Sequence, residues 1–103
     1  MKIQILMSTY NGEKYLKTQL DSILRQTEKK CYLLIRDDGS SDETPAILEH
    51  YSKHFSQISF YLGNNLGVQN SYLDLISHVE QDVDYIAFAD QDDIWHPLKM
   101  SRA

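Results

Sequence analysis

"YLLIRDDGSSDETPAILEHYSKHF", residues 32–55, decides the fold. Its first six residues, 32–37, form a near-continuous apolar run of the kind that fills a strand covered on both faces. Asp37, Asp38 and Gly39 then read as a turn, and Ser41 or Asp42 as a helix cap. Pro45 is tolerable in a first turn. From there Ile47, Leu48, Tyr51 and Phe55 recur at helical spacing. The order is strand, acidic turn, helix.

The same grammar runs outward in both directions. Residues 3–8, 58–63 and 84–90 are further short apolar runs rich in Ile, Leu, Phe and Tyr. Leu16, Leu20, Ile23 and Leu24 outline a helix before the opening stretch, and Val68, Tyr72, Leu75, Ile76 and Val79 outline one after it. The reading is β-α-β-α-β-α-β, an α/β fold with a parallel sheet and right-handed crossovers. No repeat or low-complexity linker divides residues 1–103, which read as one unit. The final stretch "DDIWHPLKMSRA" looks like the start of another element. A four-stranded sheet ending there leaves one side of its last strand poorly covered, so the expectation is part of a larger protein.

Bulk properties narrow the function classes. The 103 residues hold one domain at most, and 42% hydrophobic with 24% charged residues is ordinary for a globular protein. A net charge of −5 argues against binding a nucleic-acid backbone. Cys31 is the single cysteine, so no internal disulfide forms, which fits a reducing cytoplasm. The N-terminal run is too short for a signal-peptide core, and no stretch approaches the roughly 20 apolar residues of a membrane helix. Attachment at the inner face of the membrane through other regions stays open. The four histidines, His50, His54, His78 and His96, read as solvated.

In open α/β sheets ligands bind beyond the carboxyl ends of the strands. Every predicted strand ends in a polar cluster: "STYNG" (8–12), "RDDGSSD" (36–42), "GNNLG" (63–67) and "ADQDD" (89–93). All four fall on one rim. Turn chemistry alone explains part of each. Asn11-Gly12 tolerates positive φ, and Glu13 suits a helix first turn. Beside that reading, Thr9 and Tyr10 can cradle a ligand with hydroxyl and ring, Asp37 and Asp38 can accept from a base or ribose, and Asn65 and Gly67 can let backbone approach closely. The last cluster is hardest to explain as a turn. Asp90, Asp92 and Asp93 crowd like charges unless a cation sits among them. A hard ion, Mg²⁺ or Mn²⁺, takes one or two such carboxylates together with substrate phosphate oxygens. No phosphate-cradling glycine loop is present to share that work.

The motifs "STYNGEKYLKTQLDSILRQT", "LIRDDGSSDET", "NNLGVQNSY" and "FADQDDIW", in this order and spacing, closely resemble the N-terminal half of family 2 glycosyltransferases. The closest likeness is to the bacterial rhamnosyltransferase-type branch that builds surface polysaccharide. The resemblance spans essentially the whole chain. It implies the GT-A fold, a Rossmann-like nucleotide-diphospho-sugar transferase domain with strand order 3-2-1-4 in this half. It implies inverting transfer from a nucleotide-diphospho-sugar (dTDP- or UDP-sugar) to a glycan or lipid-linked acceptor, with a divalent cation. Carried over by position, Thr9, Tyr10, Asn11 and Glu13 line the nucleotide pocket, Asp37 and Asp38 meet base or ribose, and Asn65 and Gly67 border the base. Asp90 faces the ribose or metal shell, Gln91 belongs to the nucleotide site, and Asp92 with Asp90 ligates the metal; Asp93 is a weaker candidate. Many members follow Asn-x-Gly with Ala-Arg-Asn where this chain has "VQNSY", so that basic residue is missing. The family's catalytic base belongs to the acceptor half, expected downstream of residue 103.

Two other classes compete. A phosphoacceptor signalling module needs paired acids after the first strand, where this chain has "STYNG", and a haloacid-type phosphatase fails the same placement. A non-catalytic nucleotide-sugar-binding module stays open, because every motif present serves binding. A bare sheet edge at the end of the chain favours self-association, so a homodimer is a further expectation.

Overall fold

The computed structural model describes residues 3–26, 31–79 and 82–89, and the backbone of 96–99. The elements are β1 (Ile3–Thr9), α1 (Leu16–Gln26), β2 (Cys31–Asp37), α2 (Thr44–His54), β3 (Ile58–Leu62), α3 (Val68–Ser77), β4 (Tyr85–Ala89) and β5 (His96–Lys99). They build one sheet of order β3-β2-β1-β4-β5. The first four strands are mutually parallel in the expected 3-2-1-4 order, with Ile5 opposite both Leu33 and Ala87. β5 is an addition: it runs antiparallel to β4, with Tyr85 opposite Lys99 and Phe88 opposite His96. The side of β4 expected to be poorly covered is therefore paired. An antiparallel edge strand on a parallel sheet is a common variant, and an edge tolerates Pro97.

The two-residue period of the strands sorts side chains onto two faces. Ile5 and Met7 of β1 and Leu33 and Ile35 of β2 pack against Leu16, Leu20 and Ile23 of α1 and Leu48 and Tyr51 of α2. Leu16, Leu20 and Leu48 are wholly buried, and each such side chain contributes about 1.5–3 kcal/mol. On the other face Leu6, Leu75 and Ile86 form a smaller cluster flanked by Leu34, Tyr61, Tyr72 and Phe88.

Two local expectations change. The N-cap of α2 is Glu43, which makes no side-chain cap bond, so neither Ser41 nor Asp42 caps the helix; Asp42, one residue ahead of it, accepts from the Thr44 N–H through Oδ1 at 2.9 Å. On α3, Leu75 is fully buried, but Val68 is 67% and Ile76 44% exposed, and the helix ends before Val79. The reason is polar: buried Ser71, not Val68, faces the sheet, where its hydroxyl meets that of Ser8 at 2.6 Å.

Candidate functional site

The carboxyl ends of β1 and β2 are fused by buried polar side chains. Thr9, fully buried, donates its hydroxyl to Asp37 Oδ1 at 2.8 Å. Asp37 also accepts from the Ser40 hydroxyl at 2.6 Å and, through Oδ2, from the Ser40 N–H at 2.9 Å. The Asp38 N–H closes on the Thr9 carbonyl at 2.8 Å. Both aspartates are nearly inaccessible. A carboxylate that accepts several hydrogen bonds tolerates such burial where an unpartnered one would not.

A second set of bonds latches the β1–α1 loop to the β2–α2 loop. Asn11, at φ 48°, donates its N–H to Ser40 Oγ and accepts from the Ser41 N–H, both at 2.8 Å. The Gly12 N–H donates to Thr44 Oγ1 at 2.9 Å. The exchange at Glu13 is reciprocal: its N–H donates to Asp42 Oδ2 at 3.2 Å, and its Oε1 accepts from the Glu43 N–H at 2.8 Å. Glu13 thus satisfies a donor at the start of α2, whereas the sequence placed it in the first turn of α1. Burial opposes the charged form of Asp42, and the bonds from Thr44 and Glu13 outweigh it, leaving the carboxyl below the usual carboxylate range.

The third loop, 63–67, is tied to Asp38. Asp38 Oδ1 accepts from the Leu66 N–H at 2.8 Å and Oδ2 from the Gly67 N–H at 3.0 Å. Asn65 Nδ2 donates to the Asp38 carbonyl at 3.0 Å. Gly67 takes φ +89°, a left-handed value that glycine adopts without strain. Oδ1 of Asp38 also accepts from Arg36 Nη1 at 2.6 Å. In this arrangement both oxygens of Asp38 are bound by protein donors. The Asp74 carboxyl on α3 is lowered by the hydrogen bond from Tyr61 and by the nearby guanidinium, against the effect of burial. Burial, together with the hydrogen bond to the Asp74 carboxylate, pushes the Tyr61 hydroxyl up.

Of the residues predicted from sequence, Thr9, Asn11, Glu13, Asp37, Asp38, Asn65 and Gly67 are brought together on the rim. Tyr10 stands beside them, 48% exposed. Asp90, Gln91, Asp92 and Asp93 lie outside the described residues. The strand leading to them is anchored, because Tyr72 donates its hydroxyl to the Ala89 carbonyl at 2.5 Å. Among the described residues no group of three His, Cys, Asp or Glu side chains could hold a metal ion. An open groove of about 630 Å³ runs between α1 and α2, but of the predicted rim residues it shares only Glu13. Sequence reasoning missed Arg36, Ser40, Thr44 and Ser71. A charged residue ending an apolar strand run was the available signal for Arg36; the hydroxyl residues carried none.

The sequence model of glycosyl transferase family 2 matches residues 4–103. The chain belongs to glycosyl transferase family 2. It is 38% identical over 101 residues to the dTDP-rhamnosyl transferase RfbG of Shigella flexneri, a match covering 94% of this chain and 35% of that protein. Among solved structures, S. aureus TarS 1-349 in complex with UDP-GlcNAc superimposes with a TM-score of 0.80 at 26% identity, over 91% of this chain and 27% of that one. The Pyrobaculum calidifontis mannosyltransferase PcManGT, solved with GDP-Man and Mn²⁺, shares the fold at a TM-score of 0.75 and 18% identity, over 90% of this chain and 28% of that one. The chain spans about a third of the length of the curated relatives it matches. No helix among the described residues is long and apolar enough to cross a membrane.

Proposed function

We propose that this chain is the donor-binding part of an inverting glycosyltransferase that moves a sugar from a nucleotide-diphospho-sugar to a surface-polysaccharide or other glycan acceptor. The observation that carries the reading is the rim itself. Three loops that the sequence marks as polar are locked together by Asp37 and Asp38 at the carboxyl ends of β1, β2 and β3. A preformed wall of this kind lowers the ordering cost of binding. Tyr10, exposed on the rim, offers a ring to a base and a hydroxyl to a ribose. Asn11, Glu13, Asn65 and Gly67 shape the cleft around it, and Thr9 fixes Asp37 from below.

Asp92, with Asp90 two positions earlier, is the donor set we assign to a divalent cation, Mg²⁺ or Mn²⁺, a hard ion that takes one or two carboxylates together with phosphate oxygens. When bound, such an ion neutralises the diphosphate leaving group. Gln91, between them in the sequence, is assigned to the nucleotide. Deprotonation of the acceptor hydroxyl falls to a base outside these residues. Similarity to a dTDP-rhamnosyl transferase favours a dTDP-sugar as donor, with a UDP-sugar as the other choice.

Calorimetric titration with UDP and dTDP, each with and without Mn²⁺, tests the reading on the native protein and on Asp92→Ala. Metal-dependent binding that Asp92→Ala abolishes is the expected result. Binding that ignores both the metal and the substitution removes the acidic motif from the site.

A further inference from the structure

Arg36 is buried to 3% exposure at the end of β2, yet it sits on the face where Leu34, two residues earlier, packs into an apolar cluster. Burying a guanidinium carries a desolvation penalty, and a well-packed apolar residue is often as stable or more so. Its contacts have a different character from core packing. Nη1 donates to Asp38 Oδ1 at 2.6 Å and to Ser71 Oγ at 3.0 Å, and Nη2 donates to the Asn64 carbonyl at 3.0 Å. Nε lies 3.3 Å from Asp74 Oδ2, near enough for charge attraction but not aligned as a hydrogen bond. One planar fork therefore joins the β2–α2 loop, the β3–α3 loop and α3. Through the Ser71 hydroxyl it also reaches Ser8 of β1.

The neighbouring backbone is built to accept the group. A Cβ at Gly63 would collide with the Arg36 guanidinium. Downstream, the last three residues of the loop are held to Asp38: Asn65 by its side chain, Leu66 and Gly67 by their N–H groups. The guanidinium is enclosed by two carboxylates and is not presented to the cleft, so any influence on a ligand passes through Asp38 and the loop.

We propose that Arg36 is a positioning residue for nucleotide recognition, fixing Asp38 and the 63–67 loop as one rigid wall of the cleft. The proposal rests on the donor-binding reading above. Lysine cannot replace the fork, because a point charge reaches Asp38 or the Asn64 carbonyl but not all the partners at once.

The test uses the intact protein with arginine, Arg36→Lys and Arg36→Met. Amide hydrogen exchange at Leu66 and Gly67 is read without ligand. UDP, dTDP and GDP are then titrated with Mn²⁺ at a temperature where circular dichroism shows each protein folded. Arg36→Met is expected to open both amides to exchange, to weaken the preferred nucleotide about tenfold or more, and to narrow its preference over the other two. Arg36→Lys is expected to fall between. A folded Arg36→Met with native affinity and preference overturns the proposal, as does weakened binding with both amides still protected. Should Arg36→Met fail to fold, native affinity and preference in Arg36→Lys overturn it. A native protein that binds none of the three nucleotides overturns the donor reading and this proposal together; native binding with unaltered variants overturns this proposal alone.

Discussion

β2 shows Leu33 and Ile35 to the α1/α2 layer and Leu34 and Arg36 to α3, and from that one strand the two faces of the sheet diverge. On the α1/α2 face, apolar side chains from both helices and four strands close into a continuous core, capped at the rim by the Thr9–Asp37 pair. On the α3 face the buried apolar cluster among the described residues is Leu6, Leu75 and Ile86, and the helix is seated by Ser8, Ser71 and the Arg36 guanidinium instead. Burial of apolar surface is non-directional, whereas a guanidinium fork demands particular acceptors in particular places. The first face is therefore the source of stability and the second the source of geometry.

The largest expected effects test that division directly. Leu48→Ala, at a wholly buried site of the continuous core, should cost about 2–5 kcal/mol in urea unfolding. Leu75→Ala, equally buried but in the smaller cluster beside half-exposed neighbours, should fall at the low end, about 2 kcal/mol. Equal losses would break the contrast between the faces. Next comes Gly63→Ala, whose new methyl group must displace a guanidinium held by three acceptors. A loss of about 1–3 kcal/mol is expected. Changed amide shifts at Leu66 and Gly67 should accompany it, with the amides of α1 unmoved.

The sequence made one side of this contrast far more legible than the other. Apolar runs and helical spacing located β1 to β4 and all three helices, because hydrophobic burial imposes a period that survives in the residue order. The rim was legible for the same topological reason: every parallel strand must end on one side. What stayed hidden depends on pairing across the fold. Nothing near Glu13 in the chain indicates that its carboxylate meets the Glu43 N–H, thirty residues away. Val68 and Ile76 fit the helical period yet lie exposed, because Ser71 is drawn to two polar partners from β1 and β2. β5, His96–Lys99, falls in the stretch read as the start of another element, but its strand type and antiparallel pairing stayed hidden because four edge residues carry no apolar period.

A smaller effect sharpens the comparison at the rim of the stable face. Thr9→Val keeps shape but removes the hydroxyl that donates to Asp37 Oδ1. Asp37 keeps its two bonds from Ser40, so the expected loss is about 1–2 kcal/mol in urea unfolding, below that of a core truncation. A larger loss would mean that the rim, and not the apolar core, limits the stability of this face.

The smallest expected effect separates the latch from both faces by pH. The Asp42 carboxyl is held below its ordinary value because the bonds from Thr44 and Glu13 outweigh the effect of burial. A depressed folded value means the unfolded chain binds the proton first as pH falls. Its stabilising share is then complete above the ordinary carboxylate value near ~4 and disappears as pH drops through the lower folded value. Asp42→Asn keeps an acceptor for the Thr44 N–H but carries no charge, so its stability should change less with pH below about 4 than that of the native chain. Urea midpoints measured across that acid range check this. Parallel curves for the two proteins would mean that the latch contributes no charge-dependent stability, and that the acid limb is set by other carboxylates, Asp74 among them.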